Sequence, residues 1–541
     1  MNASLTQFLV EWEFWWLAAL FTLVVVMTVV EARRLAVDRS TLMTALLLGA
    51  LAWALTTTMA PRTSRIFYDE QIYQGIGRMM SDQHRALWCL DGNVEYGRLQ
   101  CLQGEYNKEP YGYPFLLSVV YSVAGVSDGA AHRFNNVVCG MAVFVVVILA
   151  YLLFRSTTSA ALAGLLMAVV PMQLTWSNTA AAEPAAALWC SASILGAVHF
   201  ARRRTTAALV WAIALAVFTI TLRPECVLIL PLVAVTILSL APDECRTRRV
   251  WLAAVGGLVL GIVPLLHLVA VGGQGWGTTG PRFSWQHAMA NAPVNFWFYL
   301  HDERFPVIAT VAALVGLVAA HGLRERLLLL CYFLTFWTVF VFFYAGSYNY
   351  GADVRYSLMT YVPVAVLGGA GMGHLAGLAV GRLAGRWSER HVCAAMAGAV
   401  VLQFVLYAPI VRAVGEEAWG ARADVKYAKR FAAALPPNSF VLTSNPSMFH
   451  VWGVNAAQLS QATSNPSYVD VLLLPRYAGG VYMHWNFWCN TTDPQQAKLC
   501  QDALDLFPHE VVASAAEWNQ KYTLYRLQKR EEAHGHTSRQ P

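Results

Sequence analysis

Long apolar stretches recur from residue 14 to residue 411, and they restrict the fold of this chain more than any other feature. A helix of roughly 17 to 25 apolar residues crosses a bilayer, because inside lipid its backbone hydrogen bonds are satisfied within the segment. A composition of 57% hydrophobic and 13% charged residues excludes a soluble globular protein. We therefore predict an all-α polytopic membrane protein with about twelve spans, near residues 14–31, 40–60, 133–154, 157–176, 183–201, 206–222, 225–241, 250–271, 305–321, 328–344, 357–376 and 391–411.

Arginine clusters occupy every second connection between these stretches, and their alternation predicts the orientation of the chain. Connections rich in arginine stay in the cytoplasm, which assigns the exterior to 61–132, 177–182, 222–224, 272–304, 345–356 and everything after about residue 412. The net charge of +6 resides in these clusters and not in one basic stripe, so no nucleic-acid partner is expected. The predicted location is a bacterial inner membrane, with the active site and the carboxy-terminal domain on the periplasmic side.

The exterior connection 61–132 is too long for an ordinary loop and is predicted to have structure of its own. Residues 71–80 carry apolar side chains at helical spacing and residues 113–126 form an apolar run, so both are predicted as helices on the membrane surface. A full span is the alternative for the second run, but it would invert every arginine cluster that follows. We assign this connection to a transmembrane catalytic domain, residues 1–411.

The character of the sequence changes after residue 412, where charged residues appear and no later stretch is long enough to span a bilayer. Residues 412–541 are therefore predicted as a small soluble α/β domain with a disordered tail from residue 530. Apolar periodicity predicts its helices over 425–434 and 495–506 and its strands over 440–443, 469–474 and 522–527.

Four cysteines lie in pairs within the predicted exterior regions. Cys89 and Cys101 share the first exterior connection, and Cys489 and Cys500 share the carboxy-terminal domain. Disulfides form in oxidising compartments, so both pairs are predicted to be oxidised. Free or metal-binding thiols remain the alternative, since spacing does not report geometry.

The acidic pair Asp69-Glu70 follows a membrane helix closely, in a position where a carboxylate is costly to keep without a partner or a task. Adjacent residues of a helix point about 100° apart, so one of the two is expected to face a reaction site. The functional interpretation is a general base that takes the proton of an acceptor hydroxyl. The structural interpretation is a capping pair at the start of the helix over 71–80.

Glu183 lies on the same predicted side, at the start of a membrane helix and after a run of small residues. It is a candidate second acidic residue, and together with Asp69 it could hold a divalent metal ion on a donor phosphate. The alternative is an ordinary carboxylate at a helix start, followed here by Pro184.

Three cations are predicted at the exterior boundary of the membrane, where the phosphate of a lipid-linked donor would lie. They are Lys108, Arg223 and Arg355, the last followed by Tyr356 in a polar aromatic connection. Fixed cations stabilise the charge that grows on a leaving phosphate, so all four residues are predicted to bind the donor phosphate. Snorkelling to lipid headgroups is the alternative for each cation.

In order and placement these residues resemble the GT-C glycosyltransferases, in particular the superfamily of protein O-mannosyltransferases and lipid A aminoarabinose transferases. Asp69-Glu70 stands where that family has its acidic motif, Lys108-Glu109-Pro110 is similar to its Lys-Pro-Pro segment, and Glu183 resembles its second acidic residue. Glu109 departs from the pattern, and an extra span precedes the expected first helix. The resemblance implies a polyprenyl-phosphate sugar donor, inversion at the anomeric carbon, and a site on the non-cytoplasmic face.

The predicted function is an integral membrane glycosyltransferase that moves a hexosyl or pentosyl group to a hydroxyl of a lipid, glycan or protein. Beyond a divalent metal ion no cofactor is expected, because the chain has no P-loop, GxGxxG turn, HExxH or metal-type CxxC. The alternatives are a transporter or flippase of lipid-linked sugars and a non-catalytic assembly subunit. The charges of interest gather on one side and not at mid-membrane, which argues against a transporter.

Overall fold

The computed structural model describes residues 2–275, 280–349, 351–382, 388–465, 468, 472–473, 475–491 and 493–529. Contacts divide the chain into two compact units. The first, called here the membrane unit, comprises Met1–Ile66, His84–Ala86 and Tyr106–Ala418. The second, called here the sheet unit, comprises Phe67–Gln83, Leu87–Glu105 and Trp419–Pro541.

The membrane unit is built of helices in its described part, apart from connections and one isolated β-bridge between Phe283 and Phe343, as expected where lipid leaves no other partner for backbone groups. Three short 3-10 helices, Pro224–Leu228, Pro242–Arg246 and Gly351–Ser357, interrupt the series. Its α-helices are α1 (Asn2–Ala32), α2 (Arg39–Met59), α4 (Gly112–Ala124), α5 (Asp128–Phe154), α6 (Thr157–Ala168), α7 (Pro171–Trp176), α8 (Glu183–Arg203), α9 (Thr206–Thr219), α10 (Ile229–Leu240), α11 (Arg248–Leu260), α12 (Ile262–Val271), α13 (Trp285–His301), α14 (Val307–Ala319), α15 (Leu323–Phe342), α16 (Leu358–Arg382) and α17 (Glu389–Arg412).

Each of the predicted spans corresponds to helix in the structure. Within the described residues, eight helices are long and apolar enough to cross a membrane, and the other four predicted spans coincide with shorter apolar helices. The stretch 157–176 is broken into α6 and α7 because Pro171 has no N–H and begins a new helix. The chain is therefore a polytopic membrane protein, as predicted.

Helices α5 and α8 form the centre of the membrane unit. They are buried along most of their length, whereas α1, α2 and α17 expose most of theirs. Helices α5 and α2 approach each other closely at Gly49 and Gly140. A Cβ added to either glycine would lie 2.8 Å from the carbonyl oxygen of the other, so a larger residue would not fit there. Small residues that let helix backbones approach are the usual means of helix packing in membranes.

The sheet unit contains a seven-stranded sheet in the order β2-β1-β4-β3-β5-β7-β6. Strand β3 is parallel to β4 and β5, and the remaining pairs are antiparallel. Its elements are α3 (Asp69–Gln83), β1 (Trp88–Glu95), β2 (Arg98–Glu105), α18 (Trp419–Ala434), β3 (Phe440–Thr443), α19 (Pro446–Val451), β4 (Asn455–Gln458), α20 (Leu459–Ser464), β5 (Val481–Trp485), a 3-10 helix (Phe487–Asn490), α21 (Pro494–Asp505), β6 (His509–Glu517) and β7 (Gln520–Leu527).

The division into units differs from the predicted domain boundary. We predicted that the whole connection 61–132 belongs with the membrane helices, but α3, β1 and β2 belong to the sheet unit. The reason is that β1 pairs with β4, where Asp91 lies opposite Ala457. Helix α3 packs on β1, β2 and α19, so its apolar side chains contact the sheet unit instead of forming the predicted membrane-surface helix.

The predicted run 113–126 forms α4, which at about 20 Å is too short for a full span. In the sheet unit, the predicted strands 440–443 and 522–527 and the predicted helices 425–434 and 495–506 are present. Most of the predicted strand 469–474 and the tail 530–541 lie outside the described residues.

Both predicted disulfides are present. Cys89 of β1 is joined to Cys101 of β2, and Cys489 of the 3-10 helix is joined to Cys500 of α21. Each bond therefore links neighbouring elements within the sheet unit.

Candidate active site

Three connections of the membrane unit meet at Glu183. Glu183 is the first residue of α8, and Pro184 behind it is well suited to the first turn of a helix. Arg223 directly precedes the 3-10 helix Pro224–Leu228, and Arg355 lies in the 3-10 helix Gly351–Ser357. The arginine pattern assigns all three connections to the same side of the membrane, and the structure brings them together.

Glu183 is the common acceptor of the two arginines. Its Oε1 accepts from Arg223 Nη1 at 2.8 Å and from Arg355 Nε at 2.6 Å. Glu183 is fully buried, and both arginines are also buried. Removing one partner from such a group would leave an uncompensated charge in the interior, so the three side chains stabilise one another as a set.

Each arginine also contacts a second carboxylate two residues away in the sequence. Arg223 Nε donates to Glu225 at 2.6 Å, and Arg355 Nη1 donates to Asp353 at 3.2 Å. These two carboxylates are less deeply buried than Glu183. An incoming phosphate could therefore replace them as acceptor, while Glu183 keeps both guanidinium groups in place.

Tyr356 lies against both arginines. The Cζ atoms of Arg355 and Arg223 are 4.4 Å and 5.5 Å from the centre of its ring, and Phe340 stacks on the ring at 4.6 Å. Its hydroxyl accepts from Arg355 Nη2 at 2.8 Å. Tyr356 was predicted to bind the donor phosphate, and its contacts show that it holds the guanidinium of Arg355.

Lys108 lies in a segment that docks beside Arg223. The backbone N–H of Gly112 donates to the carbonyl oxygen of Thr221 at 2.8 Å, and Thr221 is two residues before Arg223. A Cβ at position 112 would collide with Thr221, so glycine is required for this approach. Lys108 Nζ itself donates to the carbonyl oxygen of Gly275 at 2.9 Å.

Asp69 and Glu70 belong to the sheet unit, where they form the first turn of α3. Glu70 is fully buried and Asp69 is half-buried, so Asp69 is the more accessible carboxylate of the pair. Tyr68, just before the pair, has a left-handed backbone with φ of 58°. Its hydroxyl donates to Asp424 at 2.5 Å.

The described residues do not supply a set of ligands for the predicted metal ion. They contain no group of three or more His, Cys, Asp or Glu side chains placed to hold a metal. Glu183 Oε1 already accepts from two guanidinium groups, which leaves only Oε2 for another partner. A divalent ion at Asp69 and Glu183 stays a prediction.

Glu225, Asp353 and Asp424 were not predicted as site residues. A signal for the first two was present, because Arg223-Pro224-Glu225 and Asp353-Val354-Arg355 each place an acid two residues from an arginine. No local signal pointed to Asp424, since its partner Tyr68 is 356 residues away in the chain.

An apolar groove of about 460 Å³ lies between α13, α14, α15 and α16. Trp337 lines it one turn before Phe340, the residue that stacks on Tyr356. Tyr299 also lines it, and its hydroxyl lies 2.5 Å from Thr360 Oγ1 near the start of α16. Through Thr360, the lining of the groove is linked to the start of α16, the helix that directly follows the 3-10 helix of Arg355.

No family model matches the sequence, and no curated protein matches it. Solved structures do match the fold. ArnT from Cupriavidus metallidurans bound to undecaprenyl phosphate aligns with a TM-score of 0.55 and 15% identity over 88% of this chain and 97% of that one. The apo state of the same protein aligns with a TM-score of 0.56, 15% identity and the same coverage.

A mycobacterial arabinofuranosyltransferase, AftD, aligns with a TM-score of 0.51 and 12% identity. The alignment covers 92% of this chain and 42% of AftD, so this chain spans less than half of that protein. At these identities the likeness shows the fold. The chain has the GT-C fold, which confirms the fold that the resemblance implied.

Proposed function

We propose that this GT-C-fold chain is a membrane glycosyltransferase that moves one sugar from a polyprenyl-phosphate donor to an acceptor hydroxyl on the exterior face, with inversion. The observation that carries the proposal is the pair of buried guanidinium groups of Arg223 and Arg355 held on Glu183. Two cations fixed side by side match a phosphate group that gains charge as its bond to the sugar breaks.

The reaction is a single in-line displacement. The acceptor oxygen forms a bond to the anomeric carbon, and the bond from that carbon to the phosphate oxygen breaks. The electron pair leaves with the polyprenyl phosphate, whose new charge is stabilised by Arg223, Arg355 and Lys108. Asp69, the accessible carboxylate of its pair, takes the proton of the acceptor.

The apolar groove is suited to the isoprenoid chain of such a donor. Its lining is almost wholly aliphatic and aromatic, with Phe296, Phe333 and Trp337 among the side chains, and its volume of about 460 Å³ fits several isoprene units. The ArnT structure was solved with undecaprenyl phosphate, a lipid of this class. A phosphate held by Arg355 would leave the chain free to follow the groove between α15 and α16.

The two disulfides support an oxidising compartment for the sheet unit. Together with the arginine clusters between the spans, they favour an inner-membrane protein whose sheet unit faces the periplasm. The acceptor is then a lipid, glycan or protein that is reached from that side.

The test is transfer of radiolabel from a polyprenyl-phosphate sugar to an acceptor in a membrane extract, using purified full-length protein in liposomes. We expect Arg355→Ala and Arg223→Ala to reduce transfer at least 100-fold. Arg304→Ala is the matched control, because Arg304 also contacts an acid two residues away, Asp302 at 2.7 Å, in another predicted exterior connection. The control is expected to transfer at the wild-type rate.

Other outcomes would favour the alternatives. Label that crosses the liposome bilayer without joining an acceptor would indicate a flippase, and no movement of label with any donor would favour an assembly subunit. Asp69→Asn is compared with Glu70→Gln in the same assay. Full transfer by Asp69→Asn would show that Asp69 is not the base.

A further inference from the structure

A second buried polar network of the membrane unit, apart from the one at Glu183, links α1, the segment at Tyr106 and α12. Glu13 of α1 accepts from the Tyr106 hydroxyl at 2.6 Å, and that hydroxyl lies 2.8 Å from Nδ1 of His267 on α12. All three side chains are less than 5% exposed. A carboxylate buried in a membrane helix needs a partner, and the partner of Glu13 is Tyr106, which is far from it in sequence.

The series of hydrogen bonds continues to the backbone of Lys108. His267 Nε2 lies 3.2 Å from the carbonyl oxygen of Lys108. A carbonyl oxygen only accepts hydrogen bonds, so Nε2 carries the proton here and His267 donates to the backbone of Lys108.

Further bonds hold the same segment on both sides of Lys108. The carbonyl oxygen of Tyr106 accepts from Gln274 Nε2 at 2.7 Å, and the hydroxyl of Tyr111 accepts from the backbone N–H of Asn107 at 2.6 Å. The rings of Tyr106 and Tyr111 stack at 4.8 Å. The segment Tyr106–Gly112 is thus fixed to α1 and α12 at one end and to Thr221, beside Arg223, at the other.

A cavity of about 30 Å³ lies along this segment, and its walls include Glu13, His267, Tyr111, Thr221 and Pro224. The cavity therefore borders both the Glu13 end and the Thr221 end of the segment.

We infer that Glu13 is a positioning residue, which through Tyr106 and His267 fixes the segment that carries Lys108 and that docks at Thr221, two residues before Arg223. The inference rests on the proposed function in one respect, the binding of the donor phosphate by Lys108 and Arg223. It gives α1, the span that precedes the expected first helix of the GT-C pattern, a part in donor binding. Glu13 acts through other residues and does not contact the reacting atoms.

The same helix offers a matched control. Glu31 of α1 is also fully buried and also lies beside a histidine, with His199 Nε2 at 2.9 Å and Arg34 Nη1 at 2.9 Å. It stands about 27 Å farther along the helix than Glu13. Glu31→Gln therefore reports the general cost of altering a buried carboxylate on α1.

The test compares Glu13→Gln, Tyr106→Phe and Glu31→Gln in full-length protein. We expect Tyr106→Phe to raise the KM for the polyprenyl-phosphate sugar about tenfold and to change kcat less than twofold, with a smaller rise for Glu13→Gln. Tyr106→Phe has the larger effect because it removes both hydrogen bonds of the Tyr106 hydroxyl, whereas a glutamine can still accept one. Glu31→Gln is expected to keep the wild-type KM.

A second measurement does not depend on transfer. Lys108 is labelled with an amine-reactive reagent, and its labelling rate is measured by mass spectrometry. The labelling rate of Lys498, which is exposed, serves as the reference. We expect Tyr106→Phe to accelerate labelling of Lys108 at least threefold, and Glu31→Gln to leave it unchanged. An unchanged rate in Tyr106→Phe, or an equal change in Glu31→Gln, would overturn the inference.

The two readouts separate the failure of one proposal from that of the other. If wild-type protein transfers no sugar but Tyr106→Phe and Glu13→Gln still accelerate labelling of Lys108, the proposed function fails and the positioning of Lys108 by Glu13 stands. If transfer is observed and neither KM nor labelling responds to Tyr106→Phe, the proposed function stands and the positioning role is wrong.

Discussion

Each unit of the molecule contains a fully buried carboxylate, Glu183 in the membrane unit and Asp424 in the sheet unit. Glu183 accepts hydrogen bonds from two guanidinium groups. Asp424 accepts from the hydroxyl of Tyr68 at 2.5 Å and lies 3.2 Å from Nε2 of His484. Both acids are fully buried, but Glu183 is held by two guanidinium groups, whereas Asp424 accepts from a phenol hydroxyl and lies beside an imidazole.

This difference separates a candidate binding site from a structural contact. Arginine stays charged in proteins, so the cluster at Glu183 keeps two fixed cations for an anion to approach. Burial, and then the charge of Asp424, raise the pKa of Tyr68 well above its usual range, so Tyr68 remains a neutral donor. A buried acid alone is therefore a weak sign of function, and the identity of its partners is the stronger one.

The largest effect that tests this contrast is expected from Glu183→Gln. The substitution keeps the shape of the side chain but leaves Arg223 and Arg355 without their shared anion, at a cost of about 3–5 kcal/mol. We expect transfer to fall at least 1,000-fold and the thermal unfolding midpoint in detergent to drop clearly. Asp424→Asn, which retains an oxygen to accept from Tyr68, is expected to be the milder variant in both assays. If Glu183→Gln transferred sugar at the wild-type rate, Glu183 would be a structural residue like Asp424 and not part of a binding site.

A second test uses acid to probe the interior of the sheet unit. Burial, and the nearby charge of Arg78, lower the pKa of His450 to about 4, although its hydrogen bond to the carbonyl of Ala456 opposes the shift. An unfolded histidine titrates near 6.5, so the unfolded state binds more protons in acid. The sheet unit is thus fully stable above about pH 6.5 and loses roughly 3 kcal/mol by pH 4.

The measurement is hydrogen exchange of β1 and β4 peptides between pH 7 and pH 4, corrected for the intrinsic rate. We expect protection to fall with pH in the wild type. His450→Gln, whose side chain does not titrate, is the control and should flatten the dependence while lowering stability at pH 7. A wild-type profile without slope would show that His450 is not responsible.

The same contrast explains how much the sequence revealed. The spans could be predicted because bilayer thickness fixes their length, and Glu183, Arg223 and Arg355 could be singled out because charges beside apolar stretches are rare. The pairing of β1 with β4 and the bond from Tyr68 to Asp424 could not be predicted, since both join parts of the chain more than 350 residues apart. Glu13 could not be singled out from the sequence, because Tyr106 and His267 lie on two other segments.

The smallest effect concerns Tyr68, which holds an unfavourable left-handed backbone directly before Asp69. Tyr68→Phe removes the donor from buried Asp424, so we expect the free energy of unfolding of the sheet unit to fall by about 1–3 kcal/mol. Tyr427→Phe is the matched control, because the Tyr427 hydroxyl also donates to an acid, Glu517 at 2.8 Å, but that acid is partly exposed to water. Water can replace the lost donor there, so the control should cost less than about 0.5 kcal/mol. Urea unfolding followed by tryptophan fluorescence would measure both, and equal losses would show that burial of Asp424 does not strengthen its bond to Tyr68. If Tyr68→Phe also reduces transfer more than tenfold, the tyrosine serves the acidic pair as well as the fold.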